Sequence, residues 1–119
     1  MKWEKMSQDT AQRLEELVKP FDCQKRPMFG HNVYWVNGNM FAGVFQRSIF
    51  IRLPKEVQEE FLGMYADAML FEPVEGRPMK DYVVVPESVL GDKQAVSEWM
   101  ARSHRHTASL PAKKPKARK

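Results

Sequence analysis

Cys23 is the chain's single cysteine, so no internal disulfide can form and no cysteine-based zinc cluster can assemble within one chain. A reducing compartment fits that usage. Long apolar runs are missing too: none approaches the ~20 residues that a membrane-spanning helix needs, which argues against a membrane partner. The opening "MKWEKMSQDT" has no apolar h-region and no small-residue cleavage site, which leaves the cytoplasm as the expected location. No G-x-x-x-x-G-K-[ST] loop occurs, and Gly30, Gly38 and Gly43 fall into no G-x-G-x-x-G frame. Nucleotide-phosphate chemistry is therefore not expected, and neither is a cofactor.

Acids are absent from the C-terminus. From Arg102 onward there are seven basic residues and no acid, while the first 101 residues set twelve bases against all fifteen acids. A net charge of +4 thus divides into a mildly acidic body and a basic arm. The segment "TASLPAKKPKARK" adds two prolines and little to bury, so the expected organisation is one domain over 1–106 and a disordered basic tail over 107–119. With 43% hydrophobic residues in 119, the body can bury one modest core.

Helical spacing appears three times. "SQDTAQRLEELVKPF" places Ala11, Leu14, Leu17, Val18 and Phe21 on one side, with Ser7 or Asp9 as N-cap and Pro20 at the exit. "KEVQEEFLGMYADAM" places Val57, Phe61, Met64, Tyr65 and Ala68 together after Pro54. "GDKQAVSEWMARSH" aligns Val96, Trp99, Met100 and Ser103 behind an Asp92 cap.

Between the first two helices, "NVYWVNGNMFAGVF" reads as a hairpin closed by Asn37-Gly38, and "SIFIRL" follows as a third strand. The tight turn sets Val36 against Asn39, Trp35 against Met40, Tyr34 against Phe41 and Val33 against Ala42. One face then reads Val33, Trp35, Met40, Ala42, Val44, Ile49, Ile51 and Leu53, which is the expected core. The other carries Tyr34, Val36, Phe41, Phe45 and Phe50, with Asn32 and Arg52. "LFEPVEGRPMKDYVVVP" adds two strands about a Glu75-Gly76-Arg77-Pro78 turn, with Pro73 pointing to an edge. The order helix, three-strand meander, helix, two strands, helix predicts an α+β two-layer domain with helices on one face of an antiparallel sheet.

Catalytic constellations are not evident. The pairs Glu15-Glu16 and Glu59-Glu60 are sequential on helices, so their carboxylates diverge. His104-x-His106 sends its imidazoles to different helix faces beside Arg102 and Arg105, so no metal site is expected. Cys23 reads as an inert thiol and His31 as a turn residue. No catalytic residue is assigned. The contact surface expected for the body is Arg26, Tyr34, Phe41 and Arg52, and "PAKKPKARK" either offers Lys113, Lys114, Lys116, Arg118 and Lys119 to phosphates without reading bases or serves only as a solubilising tail. Two other readings stand beside this one: a small-molecule site or minor enzyme using a cleft near Phe29, Gly30 and His31, and a homodimer that buries the aromatic face.

The runs "KRPMFGHNVYWVNGNMFAGV", "IFIRL" and "FEPVEGRPMKDYVVVPESVLGDKQAVSEWMARS" resemble the N-terminal domain of the TfoX/Sxy family. Matching positions include Arg26, Met28, Phe29, Gly30, Tyr34, Gly38, Met40, Phe41, Ala42, Phe71, Gly76, Pro78, Tyr82, Pro86 and Trp99, over roughly residues 7 to 103. The resemblance implies a compact α+β domain linked to regulators of competence for DNA uptake, with a protein partner in transcriptional regulation and no catalytic residues. Full-length members carry a second, helical C-terminal domain where this chain has its basic tail.

Overall fold

The computed structural model describes residues 6–28, 30–74 and 76–112. Helix α1 (Gln8–Val18) starts where Ser7 accepts a hydrogen bond from the Thr10 N–H, and it buries Ala11, Leu14 and Val18. A two-residue strand β1 (Gln24–Lys25) leads to β2 (Val33–Val36), β3 (Asn39–Phe45) and β4 (Ser48–Arg52). Asn37 and Gly38 both take positive φ, 52° and 80°, as the tight hairpin requires. The next turn does without glycine by placing Gln46 at φ 57°.

Helix α2 (Lys55–Met64) carries the chain over to β5 (Met69–Val74), and β6 (Arg77–Val85) returns to pair with β4. The resulting six-stranded antiparallel sheet has the order β1-β2-β3-β4-β6-β5, which puts the Pro73-containing strand at an edge, as its missing N–H requires. A single-turn α3 (Glu87–Leu90) precedes α4 (Lys93–Ser109), whose first turn is capped when Asp92 Oδ1 accepts from the Ala95 N–H. The fold is the expected α+β arrangement. Beyond the expected elements the structure adds the two-residue β1 and the single-turn α3, while α2 ends at Met64, which is exposed, and α4 continues to Ser109.

The helices pack on one face, with α1 and α4 against β3 and β4 and α2 against β6. There Leu14, Val44, Ile49, Ile51, Leu53, Phe61, Val83, Val96, Trp99 and Met100 form the main core. Full burial of such side chains contributes about 1.5–3 kcal/mol apiece before entropy is counted. Trp99 anchors the layer, meeting Phe61 edge-on at 4.8 Å and donating its indole N–H to the Tyr65 hydroxyl at 3.0 Å.

A β-bulge decides which side chains join that core. Trp35 opposes Met40, but Tyr34 opposes Ala42 and Val33 opposes Gly43, so Phe41 has no partner on β2. The extra residue turns β2 over relative to the expected register. Tyr34, Val36 and Phe41 therefore enter the helix-covered core, while Val33 and Met40 are buried on the opposite face with Trp35 packed beside them. Side chains occupy the carbonyls at the bulge. Met40 O accepts from the Tyr82 hydroxyl at 3.2 Å and more weakly from Arg52 Nη1 at 3.4 Å, and Ser103 of α4 makes a long contact to Phe41 O at 3.5 Å. From β3 to β4 the expected pairs hold, with Ala42 opposite Ile51 and Val44 opposite Ile49.

No helix among the described residues is long and apolar enough to cross a membrane.

Candidate functional site

The face of the sheet away from the helices is apolar and hollow. Strand β2 contributes Val33, β3 contributes Met40 and Phe45, and β4 contributes Phe50. Phe71, Pro73 and Val74 of β5 and Met79 of β6 complete one side, and Met28 and His31 the other. Together they line a half-open hollow of about 280 Å³, just below the usual size range of small-molecule pockets.

Each wall has a local cause. Met28 and His31 bond each other's backbones, at 2.9 and 3.0 Å, around a tight turn in which Gly30 takes φ 79°. That turn stands His31 against Phe45, their rings stacked at 5.3 Å. Gly43 sits inside β3 because the Phe50 ring lies across it: a Cβ there would come within 2.5 Å of Phe50 Cζ. Phe50 then stacks on Phe71 at 4.1 Å and 11°, and Phe45 meets Phe71 edge-on at 5.4 Å. Beneath them Tyr82 touches Phe50 edge-on at 5.7 Å and receives the Arg52 guanidinium, Nη1 donating to its hydroxyl at 3.0 Å. Burial pushes the Tyr82 phenol up to about 12, outweighing the opposite pull of Arg52, so it remains a neutral donor to Met40 O.

The four residues expected to form the body's contact surface are not brought together in one. Tyr34 and Phe41 are buried under this chain's own helices, a correction that follows directly from the bulge. Burial also raises the Tyr34 phenol to about 12. Of the aromatic face expected to be buried in a homodimer, Tyr34, Val36 and Phe41 are covered by the helices, whereas Phe45 and Phe50 lie on the opposite, helix-free face. Arg52 is mostly covered and braces Tyr82 and Asp81. Arg26 is exposed, with its guanidinium 5.0 Å over the Trp35 ring and its carbonyl accepting the indole N–H.

Of the cleft expected near Phe29, Gly30 and His31, His31 lines the hollow, Gly30 sits in the adjoining turn, and Phe29 lies outside the described residues. Sequence reasoning missed the opposite wall, because Phe71, Pro73, Val74 and Met79 reach it only through the strand order. Gly43 inside an otherwise bulky strand was the available signal.

His104 Nε2 lies 3.0 Å from Asp22 O, and its ring touches Phe21 and Phe41. Burial, with Arg52 nearby, holds His106 below the usual imidazole range. Burial raises the Cys23 thiol, helped by Asp22, which makes it a poor nucleophile at neutral pH. Among the described residues, no three His, Cys, Asp or Glu side chains gather to hold a metal ion. Arg102 bonds Glu60 and stacks on Trp99 at 4.6 Å, so it serves the fold rather than the basic arm. Lys113, Lys114, Lys116, Arg118 and Lys119 lie outside the described residues.

No curated protein matches the chain. The family model described as the TfoX N-terminal domain matches residues 13–107, a span that includes the hollow, the bulge and nearly all of α4. The chain belongs to the TfoX N-terminal domain family.

Proposed function

We propose that this chain is a non-enzymatic regulatory or interaction protein, in which the folded body makes a specific contact and the basic tail adds nonspecific affinity for nucleic acid. The observation that carries the reading is the separation of two contact chemistries. The hollow of the body is lined almost wholly by carbon, with His31 as its one titratable lining residue among those described, and such a surface suits binding better than proton or group transfer. The positive charge lies elsewhere. Residues 107–119 hold five cations and no acid, while the rest holds fourteen cations against fifteen acids.

The test compares duplex-DNA binding by the full chain and by a chain ending at residue 112 across a salt series. The full chain is expected to bind with a log–log salt slope approaching about −4.5 if all five charges engage, and the shortened chain to lose that binding. Equal binding by both, or by neither, removes the nucleic-acid part of the proposal.

A second reading, a small-molecule-binding domain, is favoured by one specific observation: the Met28–His31 turn forms a wall of the hollow. The two readings are compatible, since a bound small molecule can bias a regulator's contacts.

A further inference from the structure

We infer that the hollow on the helix-free face is a binding site for an uncharged aromatic molecule of about two fused rings. This deepens the small-molecule reading and rests on it.

Size is the first argument. An apolar cavity of about 150 Å³ stays dry and accommodates benzene, and this one measures about 280 Å³. The second argument is the nature of the walls. Phe45, Phe50 and Phe71 form one connected ring cluster, with a parallel pair at 4.1 Å and an edge-on pair at 5.4 Å, so a flat guest can be met by both ring faces and ring edges. Met28, Met40 and Met79 surround the cluster, and thioethers adapt to aromatic edges better than branched aliphatic side chains do. Charge is excluded by the same lining. A carboxylate or ammonium drawn into the carbon-lined part would lose its hydration there with little to replace it.

The site is also built before any guest arrives. Gly43 gives the Phe50 ring its place, and the Tyr82 hydroxyl fixes the Met40 carbonyl at 3.2 Å behind the floor. The paired bonds between Met28 and His31 close one wall, while the Gly76 turn and β5–β6 pairing hold the other. Little ordering then remains to oppose binding. At the rim, Met28 and Val74 are each 37% exposed, which leaves a way in.

The experiment uses the full chain labelled with ¹³C at the methionine methyls and titrated separately with naphthalene, indole and octanoate. Naphthalene and indole are expected to shift the Met28, Met40 and Met79 resonances saturably, while Met6 and Met100, which belong to the helix-side core, stay in place. Val74→Trp, which offers the hollow a ring of its own from an exposed position, is expected to abolish the shifts with the Met100 resonance unchanged. Met79→Lys, which brings a charge to the same wall, is the second variant and is expected to act alike. If octanoate moves the three methyls as well as naphthalene does, the aromatic class is overturned and the small-molecule site survives. If none of the three probes moves them, or if all methionines move together, both fail. The DNA comparison is independent of either result.

Discussion

Tyr34 and Phe41 on one face of the sheet, and Phe45, Phe50 and Phe71 on the other, are the same kind of residue in neighbouring strands, yet they meet different surroundings. On the first face α1 and α4 lie over the rings, and Phe41 has no exposed surface at all. On the second the rings cover one another and leave about 280 Å³ unfilled. Aromatic content alone therefore does not tell a core from a site. What separates the two faces is whether the same chain supplies a second layer, and here its helices all pack on one side.

The largest expected contrast is between Phe41→Ala and Phe71→Ala. Phe41 is enclosed, so its removal should cost about 3–5 kcal/mol, whereas Phe71 borders open space and should lose less. Urea unfolding of both variants checks this, and equal losses would mean that the second face is packed as fully as the first. Gly43→Ala is next, at about 1–3 kcal/mol, because its Cβ must displace the Phe50 ring. Phe50 lines the hollow, so the variant is expected to reshape that wall and to weaken the naphthalene-induced methionine shifts.

Alkaline titration sharpens the comparison from a different side. The folded-state values of Tyr34 and Tyr82 are raised from 10.0 to about 12, so the unfolded chain ionises first as pH rises. The stability these phenols contribute is present in full below pH 10 and is lost between 10 and about 12. For Tyr82 alone the loss is on the order of 2 kcal/mol. Urea midpoints measured across that window should fall, and Tyr82→Phe should flatten the fall without abolishing it, since Tyr34 on the other face still titrates. An unchanged slope in Tyr82→Phe would show that the phenol beneath the hollow is not shielded from water.

Much of the fold was legible because its signals are local. Ser7 and Asp92 cap their helices as their side chains allow, Asn37-Gly38 makes the turn, and Pro73 marks an edge strand. The register from β3 to β4 also followed from pattern, because any odd slip there would have buried Arg52 among aliphatic side chains. The register from β2 to β3 did not. Both candidate faces of that hairpin were apolar, so alternation had no polar residue with which to reject the wrong one. Half of the hollow was legible in the Met28–His31 turn, while the half that comes from β5 and β6 was not.

By itself, then, the sequence determined the helices, the tight turns, the antiparallel α+β class and the segregation of charge into the C-terminal arm. These depend on contacts within a few residues or on composition. Only the tertiary structure decided the bulge at Phe41, the insertion of β6 between β4 and β5, and therefore which aromatic rings are core and which line a cavity. Those choices are made by competition among apolar side chains for the space beneath α1 and α4, a competition that involves residues more than sixty positions apart, as in the contact of Ser103 with the Phe41 carbonyl.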